Sequence, residues 1–404
     1  MRQNLVAGLD IGSTKTCAVI AEVVGDTPRT RALKILGVGQ ARTGGVRREV
    51  VTDLEETTTA VKAALKEAEL MAGVKVERVW AGMSGAHIDA STSTGVVAVG
   101  GQEIDGGDIG RVHEVARAVV VPGDRELLHA LPQEYIVDHQ RGIRDPQGMV
   151  GTRLETEVYI ITAGASAGQN LRRAVGRAGY EIEALVHEPL ATSYAVLTED
   201  EREIGVAMVD LGGGSTELAV YRDGRIRHLS SVNLGANAVT SDLVKGLAIP
   251  FHEAERTKEQ HGVAFAQLVD PREMVGLPGP GPGAEREVPR ELIAHIIEQR
   301  LDEVLGMVAE RLEETGEGEE LGAGIVLTGG GASLPGIVEV AQHVFGKPVR
   351  VGQPGEGLTG LTDSVRRPKF ATAVGLCLYA AEQGGSPAGA TALSRMLEWL
   401  REFF

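Results

Sequence analysis

Three glycine turns, each placed directly after an apolar run, hold the residues best suited to chemistry. The first reads Asp10-Ile-Gly12-Ser13-Thr14-Lys15-Thr16, the second Asp210-Leu-Gly212-Gly213-Gly214-Ser215-Thr216, and the third Thr328-Gly329-Gly330-Gly331. Glycine lets backbone come close to an anion, and successive amides of a turn form a nest for it. Lys15 adds a point charge suited to phosphate. Two aspartates at strand ends, Asp10 and Asp210, suit a hydrated Mg²⁺ held between facing lobes. A single turn of this kind is ordinarily a plain tight turn. Three of them, two in the same strand–Asp–Gly frame, point to a phosphate site. None follows the Walker pattern or the dinucleotide G-x-G-x-x-G pattern.

A fourth candidate is Glu188, in His187-Glu188-Pro189-Leu-Ala191-Thr-Ser-Tyr-Ala195. Ala191 and Ala195 lie one helical turn apart, as do Ala371 and Gly375 in a later apolar segment. Small residues at that spacing permit two helices to cross closely. Such a pair beneath the cleft makes a hinge, with Glu188 orienting an attacking water. The plainer alternative is two core helices and a glutamate serving a helix's first turn.

The elements that must position these residues repeat. Residues 6–12 and 206–212 align at an offset of 200, each followed by a second strand and a turn, which suggests a duplicated domain rather than a solenoid. In the first half, strands are predicted at 5–9, 17–24, 32–38 and 76–81. A helix is predicted over 53–72, capped by Asp53. Residues 83–162 differ in texture: a helix at 107–120 among strand-like runs at 95–99, 127–131 and 158–162 reads as a small α+β insert. Helices are predicted at 168–178, 189–197, 236–247, 290–314 and 370–381, with a strand at 324–327. Residues 276–289 read as a Pro/Gly linker without core-forming residues.

The chain of 404 residues carries 40 Lys and Arg against 56 Asp and Glu, a net charge of −16. That balance excludes nucleic acid as the main partner, because phosphate-backbone binding needs a basic face. It leaves a nucleotide open. The two cysteines, Cys17 and Cys377, suit a reduced compartment. The N-terminal apolar stretch is too short for a signal peptide, and no run reaches the length of a spanning helix.

At the C-terminus, Leu393, Met396, Leu397, Leu400 and Phe404 form one helical stripe, flanked by Trp399 and Phe403. Behind a short linker, such a helix suits insertion into a membrane interface. The alternative is a helix docked on its own domain. Arg395 and Arg401 are offset by Glu398 and Glu402, so attachment must rest on apolar burial, with polymerisation supplying avidity.

The order of first phosphate loop, connecting helix, second phosphate loop, adenosine glycines and second connecting helix resembles the actin/sugar-kinase/heat-shock-chaperone ATPase superfamily. Within it, stretches such as GLDIGSTKTCAVI, LLHALPQEYIVDHQRGIRDPQGMVG and AGIVLTGGGASLPG are similar to the FtsA family of bacterial division proteins. The resemblance implies an α/β, two-lobed, actin-like ATPase fold with duplicated RNase H-like domains. It implies a first lobe core at 1–82 and 163–203, an inserted subdomain at 83–162, and a second lobe core at 204–242 and 301–381. It also implies an outer subdomain at 243–300, a linker at 382–390 and a membrane-targeting helix at 391–404.

By the same resemblance, ATP is held by Gly12, Ser13, Thr14, Lys15, Gly212, Gly213, Gly214, Ser215, Gly329, Gly330 and Gly331. Asp10 and Asp210 are the acids associated with Mg²⁺. Asp210 and Glu188 are the candidate catalytic groups, in at most a slow ATPase. The implied function is a polymerising division protein that tethers FtsZ filaments to the cytoplasmic face of the membrane at the division site and recruits later division proteins. The C-terminal tail of FtsZ is a partner, and Arg300 is a candidate contact for it. The rival readings are a PilM-type cytoplasmic adaptor of pilus assembly, against which 391–404 speaks, and a small-molecule kinase, for which no acceptor base is visible. A peptide-binding chaperone lacks room for its substrate domain.

Overall fold

The structure, a computed structural model, describes residues 4–25, 32–101, 103–279 and 284–383. The stripe 391–404 and residues 384–390 of the expected linker lie outside the described residues, whereas residues 382 and 383, placed in that linker, belong to helix Ala371–Gln383.

The duplication holds down to register. Strand Leu5–Ile11 folds back on Lys15–Val24 with Asp10 opposite Cys17 and Ile11 opposite Thr16. Strand Val206–Leu211 folds back on Thr216–Arg222 with Asp210 opposite Glu217 and Leu211 opposite Thr216. Each hairpin therefore delivers its aspartate and glycine turn to the same end of its sheet. In the first lobe the hairpin sits inside a six-stranded sheet, joined to Arg78–Met83 and Glu181–His187 on one side and Ala32–Arg42 and Leu358–Gly360 on the other. In the second it sits inside five strands, with Arg225–Val232 at one edge and Ile325–Thr328 and Val349–Val351 at the other.

Strand periodicity explains the layering. In Lys15–Val24, Ala18 and Ile20 pack with Val61, Ala64 and Leu65 of helix Leu54–Ala72. Cys17, Val19 and Ala21 face the other way, onto Ala373, Val374 and Cys377 of helix Ala371–Gln383. That second layer continues through Met208, Ala219 and Tyr221 of the other lobe, so the lobes share a core. Helix Leu54–Ala72 starts where predicted: the Asp53 carboxylate accepts from the amides of Glu55 and Glu56 at 2.9 and 3.0 Å, a cap worth about 1 kcal/mol. Cys17 and Cys377 are buried free thiols.

Residues 88–164 hold a sheet of Ile88–Ala98, Arg153–Gly164, Arg125–Val137 and Gln140–Ile143, covered by helix Gly106–Arg117. Helices Ala236–Leu247 and Arg290–Glu314 flank the second sheet, and the latter buries Ile297, Leu301, Val304 and Leu305 in its core.

The expected linker at 276–289 is corrected. Met274–Pro278 pairs antiparallel with Glu285–Pro289, and Val275, Leu277 and Val288 are buried in the second-lobe core. Alternation of buried and exposed residues on each arm outweighs the Pro and Gly content, which marks only the tip. Helix Phe251–His261 was not expected, since only Ala254, Thr257 and Lys258 of it are buried. Among the described residues, no helix is long and apolar enough to cross a membrane.

Candidate functional site

The two sheets open onto one cleft of about 910 Å³, and all three glycine turns line it. From the first turn come Gly12, Ser13, Thr14 and Lys15; from the second, Gly212, Gly213 and Ser215; from the third, Gly329, Gly330 and Gly331. The turns meet closely. A Cβ on Gly213 would stand 2.0 Å from Thr14 Oγ1, and one on Gly329 would stand 2.2 Å from Asp210 Oδ1. Gly214 does not line the cleft; it is turned against Ser13, whose Oγ a Cβ there would meet at 2.5 Å.

The expected helix crossing is present. Helices Glu188–Val196 and Ala371–Gln383 touch backbone to backbone: a Cβ on Gly375 would lie 2.0 Å from the Ala191 carbonyl oxygen. Each helix sends one threonine to the same carboxylate. Thr192 Oγ1 and Thr372 Oγ1 donate to Asp210 Oδ2 at 3.3 and 3.4 Å, and the two hydroxyls lie 3.0 Å apart. Asp210 is thereby tied to both crossing helices.

Five carboxylates gather at this end of the cleft: Asp10, Glu49, Glu188, Asp210 and Glu217. Burial raises the pKa of each, and neighbouring acids add to the rise at Glu49, Glu188, Asp210 and Glu217. Asp210 is pushed up to about 6 by burial and Asp10, Glu49 to about 7 chiefly by burial, and Glu217 to about 8 by burial. Burial raises Asp10 although Lys15 opposes it. Glu188 is raised well above the usual range by burial, Asp10 and Glu49. Lys15 is the counterweight. Burial works against its ammonium, but Cys17, Asp10 and Asp210 more than offset this, and its pKa is raised. Its Nζ donates to the Lys369 carbonyl oxygen.

This donor set fits a hydrated cation. Among the described residues, no three His, Cys, Asp or Glu side chains converge closely enough to ligate an ion directly. Mg²⁺ keeps several of its waters and is held through one or two carboxylates, the arrangement Asp10 and Asp210 offer.

Several site residues escaped the sequence reading. Glu49 sits at the tip of a short hairpin, Val46–Arg47 with Val50–Val51, and accepts from Ser13 Oγ at 3.0 Å. Both Arg48 and Glu49 have positive φ, 47° and 61°, the mark of a tight two-residue hairpin turn. Nothing in Arg47-Arg48-Glu49 distinguishes this turn from a solvated charge run. Glu217, paired in register with Asp210, accepts from Ser231 Oγ at 2.9 Å; its counterpart in the first half is Cys17, so the duplication does not point to it. Ser84 donates to Glu188 Oε2 at 2.5 Å. Lys258 and Glu255, on the unforeseen helix, join at 2.8 Å in the cleft wall.

Arg300 lies away from the cleft, on helix Arg290–Glu314, where it pairs with Asp242 and Glu303. Leu393, Met396, Leu397, Trp399, Leu400, Phe403 and Phe404 lie outside the described residues.

Comparison with known proteins then separates the candidates. The family described as "Cell division protein FtsA" matches residues 207–375, and the "SHS2 domain inserted in FTSA" matches residues 85–162. The chain is 40% identical over 416 residues to the cell division protein FtsA of Neisseria meningitidis, covering 100% of this chain and 99% of that one. It is 39% identical over 376 residues to the cell division protein FtsA of Pseudomonas aeruginosa, covering 93% and 89%. Solved structures share the fold at low identity. A PilM–PilN type IV pilus biogenesis complex matches with TM-score 0.66 and 18% identity over 93% of this chain and 98% of that one. Spiroplasma citri MreB5 bound to ADP gives 0.55 and 14% over 93% and 96%. A MamK double helical filament gives 0.53 and 13% over 95% and 99%.

Proposed function

The chain belongs to the FtsA family of cell division proteins, and on that premise we propose that it is an ATP-binding filament protein tethering FtsZ to the inner face of the cytoplasmic membrane at the division site, where it recruits later division proteins. Its fold is the actin-like one, two α/β lobes about a cleft. The observation that carries the nucleotide part is the convergence of three glycine turns on one cleft whose central aspartate is bonded by both crossing helices.

In this reading, the backbone amides of Gly12–Lys15 and Gly212–Ser215 cradle the phosphates, and Lys15 offsets part of their charge. Gly329–Gly331 line the side towards the nucleoside. Bound Mg²⁺ supplies neutralisation of charge developing on the terminal phosphate. Asp10 and Asp210 would hold the ion, and Glu188 orients the attacking water in a slow hydrolysis. ATP serves chiefly to close the lobes. Self-assembly is supported by the filament-forming neighbour of the same fold.

Membrane attachment rests on the stripe at 391–404 and is tested by co-sedimentation with liposomes in ATP, comparing the full chain with one ending at Gly389. Pelleting of the full chain alone supports the tether. Equal behaviour of the two ends it. Binding of the FtsZ tail is tested on the same protein by Arg300→Glu: a loss of at least tenfold supports the contact, whereas unchanged binding removes Arg300 from it.

A further inference from the structure

We infer that Ser84 is a positioning residue for Glu188, setting that carboxylate from the root of the inserted subdomain; the inference rests on the water-orienting reading of Glu188. Strand Arg78–Met83 runs parallel to Glu181–His187, with Gly82 opposite Val186 and Met83 opposite His187. Glu188 follows directly and begins the connecting helix. Its side chain falls back over the end of the neighbouring strand. A Cβ on Gly82 would come within 2.7 Å of Glu188 Cγ and 2.8 Å of Oε1, so that position must stay bare. Two residues on, Ser84 Oγ donates to Oε2 at 2.5 Å. Ser84 is 1% exposed, so no bulk water competes for the bond.

The backbone beside Glu188 is fixed from the same direction. His187 donates its Nδ1 proton to the Met83 carbonyl oxygen at 3.1 Å, and its backbone N–H donates to His129 Nε2 at 3.0 Å. His129 belongs to strand Arg125–Val137 of the inserted sheet. Ser84 immediately precedes residue 85, where the match to the inserted domain begins. Glu188 is therefore seated by the last residue before the insert, and its neighbour by a residue within it.

Electrostatics give the bond a second consequence. The acids that act most strongly on Glu188 are Asp10 from the first strand, Glu49 from the hairpin tip and Glu217 from the second lobe; Lys15 and Asp210 line the same cleft. Burial and these acids favour the protonated form, and the Ser84 hydroxyl works against them. Removing it frees the carboxylate to rotate and raises its pKa further. The first effect lowers turnover; the second moves the acidic limb of the pH profile to higher pH.

The test is single-turnover phosphate release from Mg–ATP by the full chain between pH 6 and 9, beside equilibrium nucleotide affinity. The variants are Ser84→Ala, Ser84→Cys and Glu188→Gln. Cysteine keeps the volume with a weak donor, so it serves should alanine fail to fold. Loss of a hydrogen bond to a charged group predicts about tenfold slower release for Ser84→Ala. Nucleotide affinity stays within about twofold and the acidic limb moves up; Ser84→Cys lies between it and wild type. Wild-type release by Ser84→Ala with release lost in Glu188→Gln overturns the inference alone. Release retained in Glu188→Gln overturns the reading of Glu188 on which it rests. Parallel loss of affinity and release, with the limb unmoved, shows mere structural damage and also overturns it.

Discussion

Asp210 is the residue on which the two halves of the molecule agree, because its donors come from different helices. Replacing either threonine by valine keeps the shape and removes one donor. Each bond is long, so each replacement is expected to cost ~1 kcal/mol, about a fivefold loss of Mg–ATP affinity. Calorimetric titration of Thr192→Val and Thr372→Val measures it; their double mutant should lose less than the sum, because the hydroxyls also touch each other. Glu49 makes a different prediction. Its pKa is raised from 4.5 to about 7, so the folded protein holds this proton more tightly than the unfolded chain. That contribution to stability is complete below pH 4.5 and is lost as pH rises through about 7. Glu49→Gln removes the titration. Its melting temperature relative to wild type, without nucleotide, should therefore climb by roughly a few degrees between pH 5 and pH 8. A pH-independent difference would show that Glu49 ionises freely in the fold.

At the scale of elements, the crossing of Glu188–Val196 with Ala371–Gln383 makes the sharpest demand on sequence. Gly375→Leu places side-chain atoms where the Ala191 carbonyl now stands, so the helices must separate. Overpacking of this kind costs about 3 kcal/mol, to be read as a fall in the urea midpoint. This crossing was legible because small residues at i, i+4 have a geometric meaning on a helix. The strand–Asp–Gly frames were legible for a similar reason: a buried strand leaves a continuous apolar run, and the repeat at offset 200 checks itself. Hairpin 274–289 was not legible, since its arms bury only Val275, Leu277 and Val288 and its prolines read as breakers. Nor was the site fully legible. Glu49 and Glu217 reach the cleft, and Ser84 reaches Glu188, through turn geometry and cross-strand register, neither of which leaves a spacing signature in one chain.

Across the whole molecule, the two lobes share a core beneath a cleft whose lining balances seven acidic side chains against seven basic ones. The acids gather at the end where Asp10 and Asp210 stand, so a polyphosphate gains from a cation chiefly there. Mg–ATP is therefore expected to raise the melting temperature, by the mass action of a ligand that binds only the folded form. ATP in excess chelator should raise it far less. If ATP alone stabilises equally, the carboxylates are not the cation's seat. The same reasoning about charge governs the C-terminal stripe. Two arginines balance two glutamates within 391–404, leaving no surplus for anionic lipid. On the proposed reading of 391–404 as a membrane helix, attachment through apolar burial by one such segment would be weak and reversible, whereas many on one filament would bind as a unit. Liposome binding should therefore rise steeply with protein concentration in Mg–ATP. It should change little between ~50 and ~300 mM salt, a range that shortens the screening length roughly 2.5-fold and weakens most surface attraction. Strong salt sensitivity would place the contact on a basic face elsewhere in the molecule and remove 391–404 as the anchor.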